Sequence, residues 1–473
     1  MSEGKPPRLP RIPIRQVSQL TGSDRIGFQA MSTRPLPALH RMAPRLFYGW
    51  MITAGVFLLS FVIVGIGFYS LTIFLDALCL DRGWSRASVS GATTLYFLTS
   101  GATGTLIGRA VDRYGPRGWI AGGALLMSVG LLAIGRVREP NELFWVYFLM
   151  AVGFGMSSAV PTNAILARWF VARRARAVSF SHTGVSVGGM VVVPLASMLV
   201  RRGGLELAVG CLAAIVVAVA LPIVLFVLRS DPRDHGLEPD GGAGEASEAS
   251  VLSDAVQLRA WSRREAARTT SFWIIALCFG AMLFTQTGFL IHQLAFLRER
   301  IGTLAPYAVS VTAFGSVVGR LLVGSFADRV PKRAVSQGIF LLQAAALLAL
   351  ISAEDTAVLL VSAFVFGLTM GNVYMLQSLL AADLFGRVSF GAVFGLVQLL
   401  TSMMGALGPM ALGILFDQLG GYVPAIRVFL PIPIAAALLI GLLQPPAPRD
   451  ARAHSRRLHV PWGRGSATNL DGS

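Results

Sequence analysis

The sequence predicts an all-α membrane protein in which twelve transmembrane helices form two six-helix pseudo-repeats. Three observations support this prediction. Of the 473 residues, 54% are hydrophobic and 14% are charged, whereas soluble domains carry about 25% charged residues. Apolar runs long enough to cross a bilayer, which takes about 20 residues, recur along most of the chain. A charged block at the end of the second run returns 216 residues later, at the end of the eighth.

Twelve apolar windows, each bounded by polar or charged residues, are the predicted spans. We expect each one to be helical, because a segment in lipid must satisfy its backbone hydrogen bonds internally. The predicted spans are residues 49–78, 87–110, 118–137, 142–167, 176–200, 205–228, 270–297, 305–327, 334–352, 356–382, 388–416 and 422–443.

Polar segments divide the chain around these spans. Residues 1–47 are predicted to be a disordered cytoplasmic tail and residues 445–473 a second cytoplasmic tail. Residues 229–269 are predicted to be a cytoplasmic linker, because the run "EPDGGAGEASEAS" has too few apolar residues to bury a core. The two six-helix bundles would then comprise residues 48–228 and 270–444.

The net charge of +16 is distributed unevenly. With the N-terminus inside, 30 of the 40 basic residues fall on the tails and even-numbered connections and 9 on the odd-numbered ones. This positive-inside pattern predicts two cytoplasmic termini. The basic segments lack interleaved aromatic residues, so we expect contact with anionic lipid headgroups and no nucleic-acid binding. The ratio of 38 Arg to 2 Lys indicates a GC-rich genome and favours a bacterial cytoplasmic (inner) membrane.

Sequence patterns for catalysis are missing from the chain. Cys79, Cys211 and Cys278 lie in or beside apolar segments without metal-ligand spacing and are interpreted as small hydrophobic residues. The phosphate-binding loop G-x-x-x-x-G-K-[ST] is absent, which argues against ATP-driven transport. We therefore predict no cofactor, no metal and no enzymatic activity, and we expect a monomer. A non-transporting membrane sensor would need an appended signalling domain, for which the last 29 residues are too few and too polar.

The repeated block marks the same position in each half. "GTLIGRAVDRYGPR" (104–117) ends the second span, and "RLLVGSFADRVPKR" (320–333) ends the eighth. Parallel six-helix repeats build transporters whose substrate site lies near the bilayer midplane between the halves. The aligned pairs are Gly108 and Gly324, Asp112 and Asp328, Arg113 and Arg329, and Arg117 and Arg333.

The first copy of this block resembles the loop motif of the major facilitator superfamily, and the second departs from it at Pro331. The resemblance extends over about residues 47–444 and implies a secondary transporter of a small organic monocarboxylate, with a proton as candidate coupling ion in a symporter. Efflux of an amphipathic drug is the alternative, which would predict a wide aromatic cavity and an acidic residue at its centre. Further stretches resemble the monocarboxylate transporter and oxalate/formate antiporter group: "RGWSRASVS" (82–90), "ARWFVARRARAVSFSHTGVSVGG" (167–189), "DPRDHGLEPDG" (231–241) and "GPMALGILFDQLG" (408–420).

The loop motif is interpreted as a latch on the cytoplasmic side, with simple topogenic charge as the alternative. Asp112 would meet a helix N-terminus, whose partial positive charge favours an anion; the resemblance makes this the eleventh helix. Arg113 and Arg117 can pair with carboxylates or last-turn carbonyls. Asp328 and Arg329 are assigned the same gating role in the second half. Residue 108, a glycine, should let the helix ends approach closely.

Arg320 lies inside the eighth span, eight residues before Asp328 and so about 12 Å deep. Thr312, Ser316, Arg320 and Gly324 share one helix face. Because a charge facing lipid costs several kcal/mol, this polar stripe should face a central cavity. Spans seven to twelve lack a mid-helix Asp or Glu, so we predict that Arg320 binds the substrate carboxylate; a fixed ion pair is the alternative. The resemblance implies the same role, although Ser316 replaces an Asp of animal members.

Further candidates to bind substrate lie in the fifth, seventh and tenth spans. His182 could carry the coupling proton or donate to the substrate, because an imidazole titrates near neutral pH; a cap or hydrogen bond to a neighbouring helix is the alternative. His292 matches a His often found in the seventh helix of the resembled group. Asn372 and Tyr374 are about 200° apart on their helix, so at most one should touch the substrate, and we favour Tyr374.

Two more candidates come from the first and eleventh spans. Gln398 and Ser402 form a short polar stripe, and the eleventh span lacks the second cation found in the dicarboxylate antiporter, which favours a monoanion. Tyr69 stands where animal monocarboxylate transporters have a Lys, according to the resemblance. Asp76 is predicted near the outer end, where an exposed gating or capping role is favoured over a proton-carrying one.

Overall fold

The computed structural model describes residues 47–171, 173–240, 262–326, 330–385 and 390–444. The first half comprises α1 (Tyr48–Arg82), α2 (Arg86–Tyr114), α3 (Pro116–Ile134), α4 (Pro140–Trp169), α5 (174–202) and α6 (205–227). The second half comprises α7 (Thr270–Ile301), α8 (Ala305–Phe326), α9 (Lys332–Ser352), α10 (Thr356–Phe385), α11 (Phe390–Leu419) and α12 (Tyr422–Ile440).

A helix lies within every predicted span, and the all-α prediction is confirmed. Nine stretches of the described residues are long and apolar enough to cross a membrane. Two of them, Arg176–Val227 and Thr270–Ser325, are 52 and 56 residues long and each contain two of the helices named here. The 29-residue helix α2 is not among the nine.

Three helices are interrupted near their middle. In α1, residues Ser60–Tyr69 form a π-helix, a form that often marks functional positions. In α4, Ser158 leaves the helical region with φ −90° and ψ −135°. In α10, the helix stops at Met370 and restarts at Val373. These interruptions place irregular backbone at the depth where the polar side chains of the candidate site lie.

Glycines let helices within each half pack backbone to backbone. A Cβ at Gly65 of α1 would lie 2.9 Å from Gly188 Cα of α5. In the second half, a Cβ at Gly367 of α10 would overlap the Thr312 carbonyl of α8. Helices in lipid have no hydrophobic driving force for association, and small residues at such crossings allow the close van der Waals packing that holds them together. The first half therefore holds α1 against α5, and the second holds α8 against α10.

The described chain ends and the beginning of the predicted linker lie at one end of the bundle, which we call the linker face. Tyr48 Oη donates to the Val227 carbonyl (2.7 Å), and Ser271 Oγ donates to the Gln444 carbonyl (2.6 Å). The beginning of the predicted linker packs there too, since the Asp240 carboxylate accepts from the Val171 backbone N–H (2.7 Å). The opposite end, with the α1–α2 connection, is the far face. The predicted tails before residue 47 and after residue 444, and linker residues 241–261, lie outside the described residues.

The two halves meet at the far face. Ser310 Oγ of α8 donates to the Met190 carbonyl of α5 (2.9 Å), and the Ala87 N–H of α2 donates to Asp417 of α11 (2.9 Å). At the linker end of α2, a Cβ at Gly108 would meet no atom of the described residues within 4 Å, and Leu106 is 78% exposed. The side chains at the start of α11, the predicted neighbour of this end of α2, lie outside the described residues, so the close approach expected at Gly108 stays a prediction.

Candidate functional site

Arg320 lies at the boundary between the two halves. Its Nη2 donates to Ser316 Oγ on α8 (3.0 Å) and to Ser186 Oγ on α5 of the other half (3.0 Å). Its Nε is buried, and no described residue accepts a hydrogen bond from it. Within the described parts of the chain, no carboxylate forms a salt bridge with this guanidinium. A partly buried cation that contacts two neutral hydroxyls retains most of its capacity to bind an anion.

The interruption of α10 shapes the space beside Arg320. A Cβ at Gly371 would lie 2.5 Å from the Ser316 carbonyl and 2.6 Å from Arg320 Nε. Only a glycine allows α10 to approach α8 this closely. The Asn372 side chain at the same break is fully buried, and its Nδ2 donates to the Leu368 carbonyl (2.7 Å). The backbone of α10 thus fixes where the guanidinium lies.

The predicted polar stripe of α8 is divided between two environments. Thr312 is fully buried, accepts from Gln293 of α7 (2.7 Å) and donates to the Ala363 carbonyl of α10 (3.0 Å). Its hydroxyl therefore serves packing within the second half. For Gly324, one turn beyond Arg320, no atom of the described residues lies within 4 Å of the position of a Cβ. The stripe is therefore packed against α7 and α10 at Thr312, and it loses these packing contacts beyond Arg320, toward the linker face.

Two predicted side chains of the first half lie near Arg320. Tyr69 and His182 are both within electrostatic range of the guanidinium. The Tyr69 ring is 4% exposed and packs on Gly189, where a Cβ would lie 2.6 Å from the ring. The His182 ring is hydrogen-bonded to the Asn163 side chain (3.2 Å). These three predicted residues are thus brought together from α1, α5 and α8.

Asn163 was not among the residues singled out in the sequence. It follows the break at Ser158 in α4, and its amide oxygen is aimed at the His182 ring. A single Asn in an apolar span is the signal that could have identified it, because an amide in lipid needs a polar partner. The first half therefore offers an imidazole–amide pair opposite the cation of the second half.

The structure places His292 away from this group. It is fully buried, and its ring contacts the Tyr422 hydroxyl (3.1 Å) and the Pro409 carbonyl (3.0 Å). Both ring nitrogens therefore have protein partners, and the side chain joins α7 to α11 and α12.

The remaining predicted residues lie on α10 and α11. Tyr374 is 48% exposed, whereas Asn372 is fully buried, so the two occupy different faces. Gln398 Nε2 donates to Ser402 Oγ (3.0 Å), which forms the stripe expected on α11. Within the described residues, none of the three has a hydrogen bond to Arg320.

The gating residues are described in part. Arg117 donates to the Val224 and Leu225 carbonyls at the end of α6 (2.9–3.1 Å). Its counterpart Arg333 donates to the Leu443 carbonyl after α12 (3.1 Å), so both copies of the repeat make the same contact within their own half. Arg113 is exposed, and its guanidinium carbon lies 5.2 Å from the ring centre of the adjacent residue, Tyr114. The Asp112 side chain, Asp328 and Arg329 lie outside the described residues.

Comparison with known sequences agrees with this architecture. A sequence model of the Major Facilitator Superfamily matches residues 57–334 and 292–468. The chain is 27% identical over 367 residues to the agnestins efflux protein AgnL12 of Paecilomyces divaricatus, covering 76% of this chain and 78% of that protein. It is 25% identical over 391 residues to monocarboxylate transporter 13 of Rattus norvegicus, covering 79% and 84%. It is also 25% identical over 235 residues to the oxalate:formate antiporter of Oxalobacter formigenes, covering 50% and 52%.

A solved structure shares the fold. The crystal structure of a bacterial homolog to the human lysosomal transporter Spinster superposes with a TM-score of 0.63 and covers 84% of this chain and 96% of that one. The sequence identity is 17%, so the likeness concerns the arrangement of helices and carries no information about substrate.

Proposed function

Because this chain belongs to the Major Facilitator Superfamily, the resemblance expected from the sequence is confirmed, and we propose that it is a secondary active transporter of a small organic monocarboxylate. Alternating access between the two halves would carry the substrate past Arg320. We also propose that the linker face is cytoplasmic and that the protein resides in a bacterial inner membrane. The structure would then represent a conformation that is closed at the non-cytoplasmic side, the far face.

The contacts of Arg320 carry this proposal. A cation at this depth is costly unless an anion neutralises it, and its described partners are the hydroxyls of Ser186 and Ser316. A guanidinium presents a planar fork that matches a carboxylate. Because Ser186 and Ser316 belong to opposite halves, an anion bound here would contact the interface that must rearrange during transport.

Arg320 supplies one positive charge to the proposed site, and a single positive charge favours a substrate with a single negative charge. Tyr69 and His182 are neutral partners that can donate hydrogen bonds to a carboxylate or to a second polar group of the substrate. His182 is also the candidate carrier of a coupling proton. The relatives include a monocarboxylate transporter and an efflux protein. The experiment therefore measures both uptake and export of the carboxylate.

Uptake into proteoliposomes tests this function. Radiolabelled lactate, pyruvate, benzoate and oxalate are supplied with and without a pH gradient. We expect at least one monocarboxylate to be taken up faster than oxalate. Arg320→Gln should lower that uptake at least about 30-fold, because removing one partner of a desolvated charge pair costs several kcal/mol. Counterflow from preloaded vesicles measures export in the same preparation.

Arg427→Gln is the matched control. Arg427 is an exposed arginine of the same half, so its replacement removes the same charge away from the site and should leave uptake unchanged. Carboxylate uptake that survives in Arg320→Gln would contradict the assignment of Arg320. Absence of uptake for every carboxylate, together with transport of a neutral or cationic amphipathic compound, would replace this proposal with drug efflux.

A further inference from the structure

The far face is closed by charged side chains from both halves, and we propose that Asp76 of α1 and Arg298 of α7 form the latch of this gate. The inference rests on the proposed alternating-access function, because a transporter must open this face in the other half of its cycle. It assigns the gate to residues that are distinct from Arg320 and from the loop motif at the linker face.

Asp76 is buried in the closed interface. It is 2% exposed, and its Oδ2 lies 2.8 Å from Arg298 Nη1. Among the residues that the structure describes, it is the one acidic residue in the buried class. The exposed position expected for Asp76 from the sequence is therefore wrong, because α7 covers this end of α1. A carboxylate without water needs a cation beside it, so the pair binds α1 to α7 as long as the face stays closed.

Arg86 of α2 makes a second set of contacts across the same boundary. Its guanidinium lies 4.5 Å from the Phe416 ring centre and 4.9 Å from that of Tyr422. It also approaches the Glu299 carboxylate at 3.7 Å. Glu299 has a side chain that is 52% exposed, and exposed ion pairs contribute little. The aromatic contacts close the rim, and the Asp76–Arg298 pair, at 2.8 Å against 3.7 Å for Arg86–Glu299, is the shorter of these two ion pairs across the interface.

The burial of the two partners differs, and this difference suits a latch that opens. The Arg298 side chain is 35% exposed, whereas that of Asp76 is 3% exposed. The cation therefore stays in contact with water in the closed state and loses little when the halves separate. The carboxylate gains hydration on opening and loses its partner. The pair therefore favours the closed face while the carboxylate is charged, and it adds no permanent connection between the halves.

Distances between spin labels at the far face test this latch without any substrate. The labels are attached at Arg202→Cys, at the end of α5, and Glu354→Cys, after α9, which are exposed and belong to opposite halves. Double electron–electron resonance in nanodiscs then reports the ratio of open to closed far faces. Native cysteines are first replaced by alanine: Cys79, Cys211 and Cys278.

We expect Arg298→Gln to raise the open-to-closed ratio at least about tenfold, because it leaves the buried Asp76 carboxylate without its cation in the closed state. Asp76→Asn should raise the ratio by a smaller factor, because it removes the same contact but leaves Arg298 in contact with water. Glu299→Gln, the control on the exposed pair, should change it less than about threefold. The double variant Asp76→Asn with Arg298→Gln should not exceed the larger single effect, since both remove the same contact. Asp76→Glu keeps the charge and should remain mostly closed.

Wild-type distance distributions in Asp76→Asn and Arg298→Gln would overturn the proposal, as would a double variant equal to the product of the two single effects. Monodisperse elution and an unchanged label distance within one half show that each variant is folded. A failed carboxylate uptake assay would leave these distances unaffected, so failure of the proposed function and failure of the latch are distinguishable.

Discussion

Replacing Gly371 by Ala perturbs the site without adding or removing a polar group. The new Cβ would lie 2.5 Å from the Ser316 carbonyl oxygen and 2.6 Å from Arg320 Nε. Ordinary carbon contacts begin at about 3.5 Å, so α10, α8 or the guanidinium must move by about 1 Å. Overpacking of this kind costs about 1–3 kcal/mol, and a 1 Å displacement of a positioning group can lower a rate about 100-fold.

The assay combines thermal unfolding in detergent with initial uptake of the transported carboxylate. Gly371→Ala should lower both the unfolding temperature and the uptake rate. Gly338→Ala on α9 is the matched control, because a Cβ there meets no atom within 4 Å. This control should be neutral or stabilising, since alanine favours a helix over glycine by about 1 kcal/mol. Equal behaviour of the two variants would refute the reasoning that α10 fixes Arg320.

Three other substitutions test contacts outside the site. His292→Phe should destabilise the protein by about 1–3 kcal/mol, because the Pro409 carbonyl loses a buried donor; thermal unfolding measures this, and a changed substrate KM would show a direct role instead. Arg117→Gln should lower the unfolding temperature, because it removes the contacts to the end of α6, while exposed Arg113→Gln should not. Asp240→Asn should weaken the attachment of the linker to the α4–α5 junction, measured as faster hydrogen exchange at Val171.

The helices and the central cation could be predicted because their signals are local. An apolar run of about 20 residues has few alternatives to a membrane helix, and every predicted span contains one. Arg320 stands out because a permanent charge in such a run requires a polar environment. Its contact with Ser316 lies along the predicted stripe, whereas its contact with Ser186 could not be predicted, since Ser186 is 134 residues away and belongs to the other half.

Features that depend on how the helices pack against one another were harder to predict from the sequence. Asn163 is a single amide whose meaning depends on His182 being opposite to it. His292 has a sequence setting typical of a functional His, but its partners come from α11 and α12. The break at Gly371 depends on contact with α8, and hydropathy carries no information about such contacts. The closed far face likewise reflects one conformation of a chain for which we propose at least two.

Equilibrium binding of the transported carboxylate to the purified protein is the most direct test of the central claim. Titration calorimetry is performed on wild type, Arg320→Lys, Arg320→Gln and the exposed control Arg427→Gln. If Arg320 binds the carboxylate, the control should keep wild-type affinity, Arg320→Lys should bind more weakly because it keeps the charge but loses the planar fork, and Arg320→Gln should show no measurable binding. Undiminished carboxylate affinity in Arg320→Gln would contradict this claim.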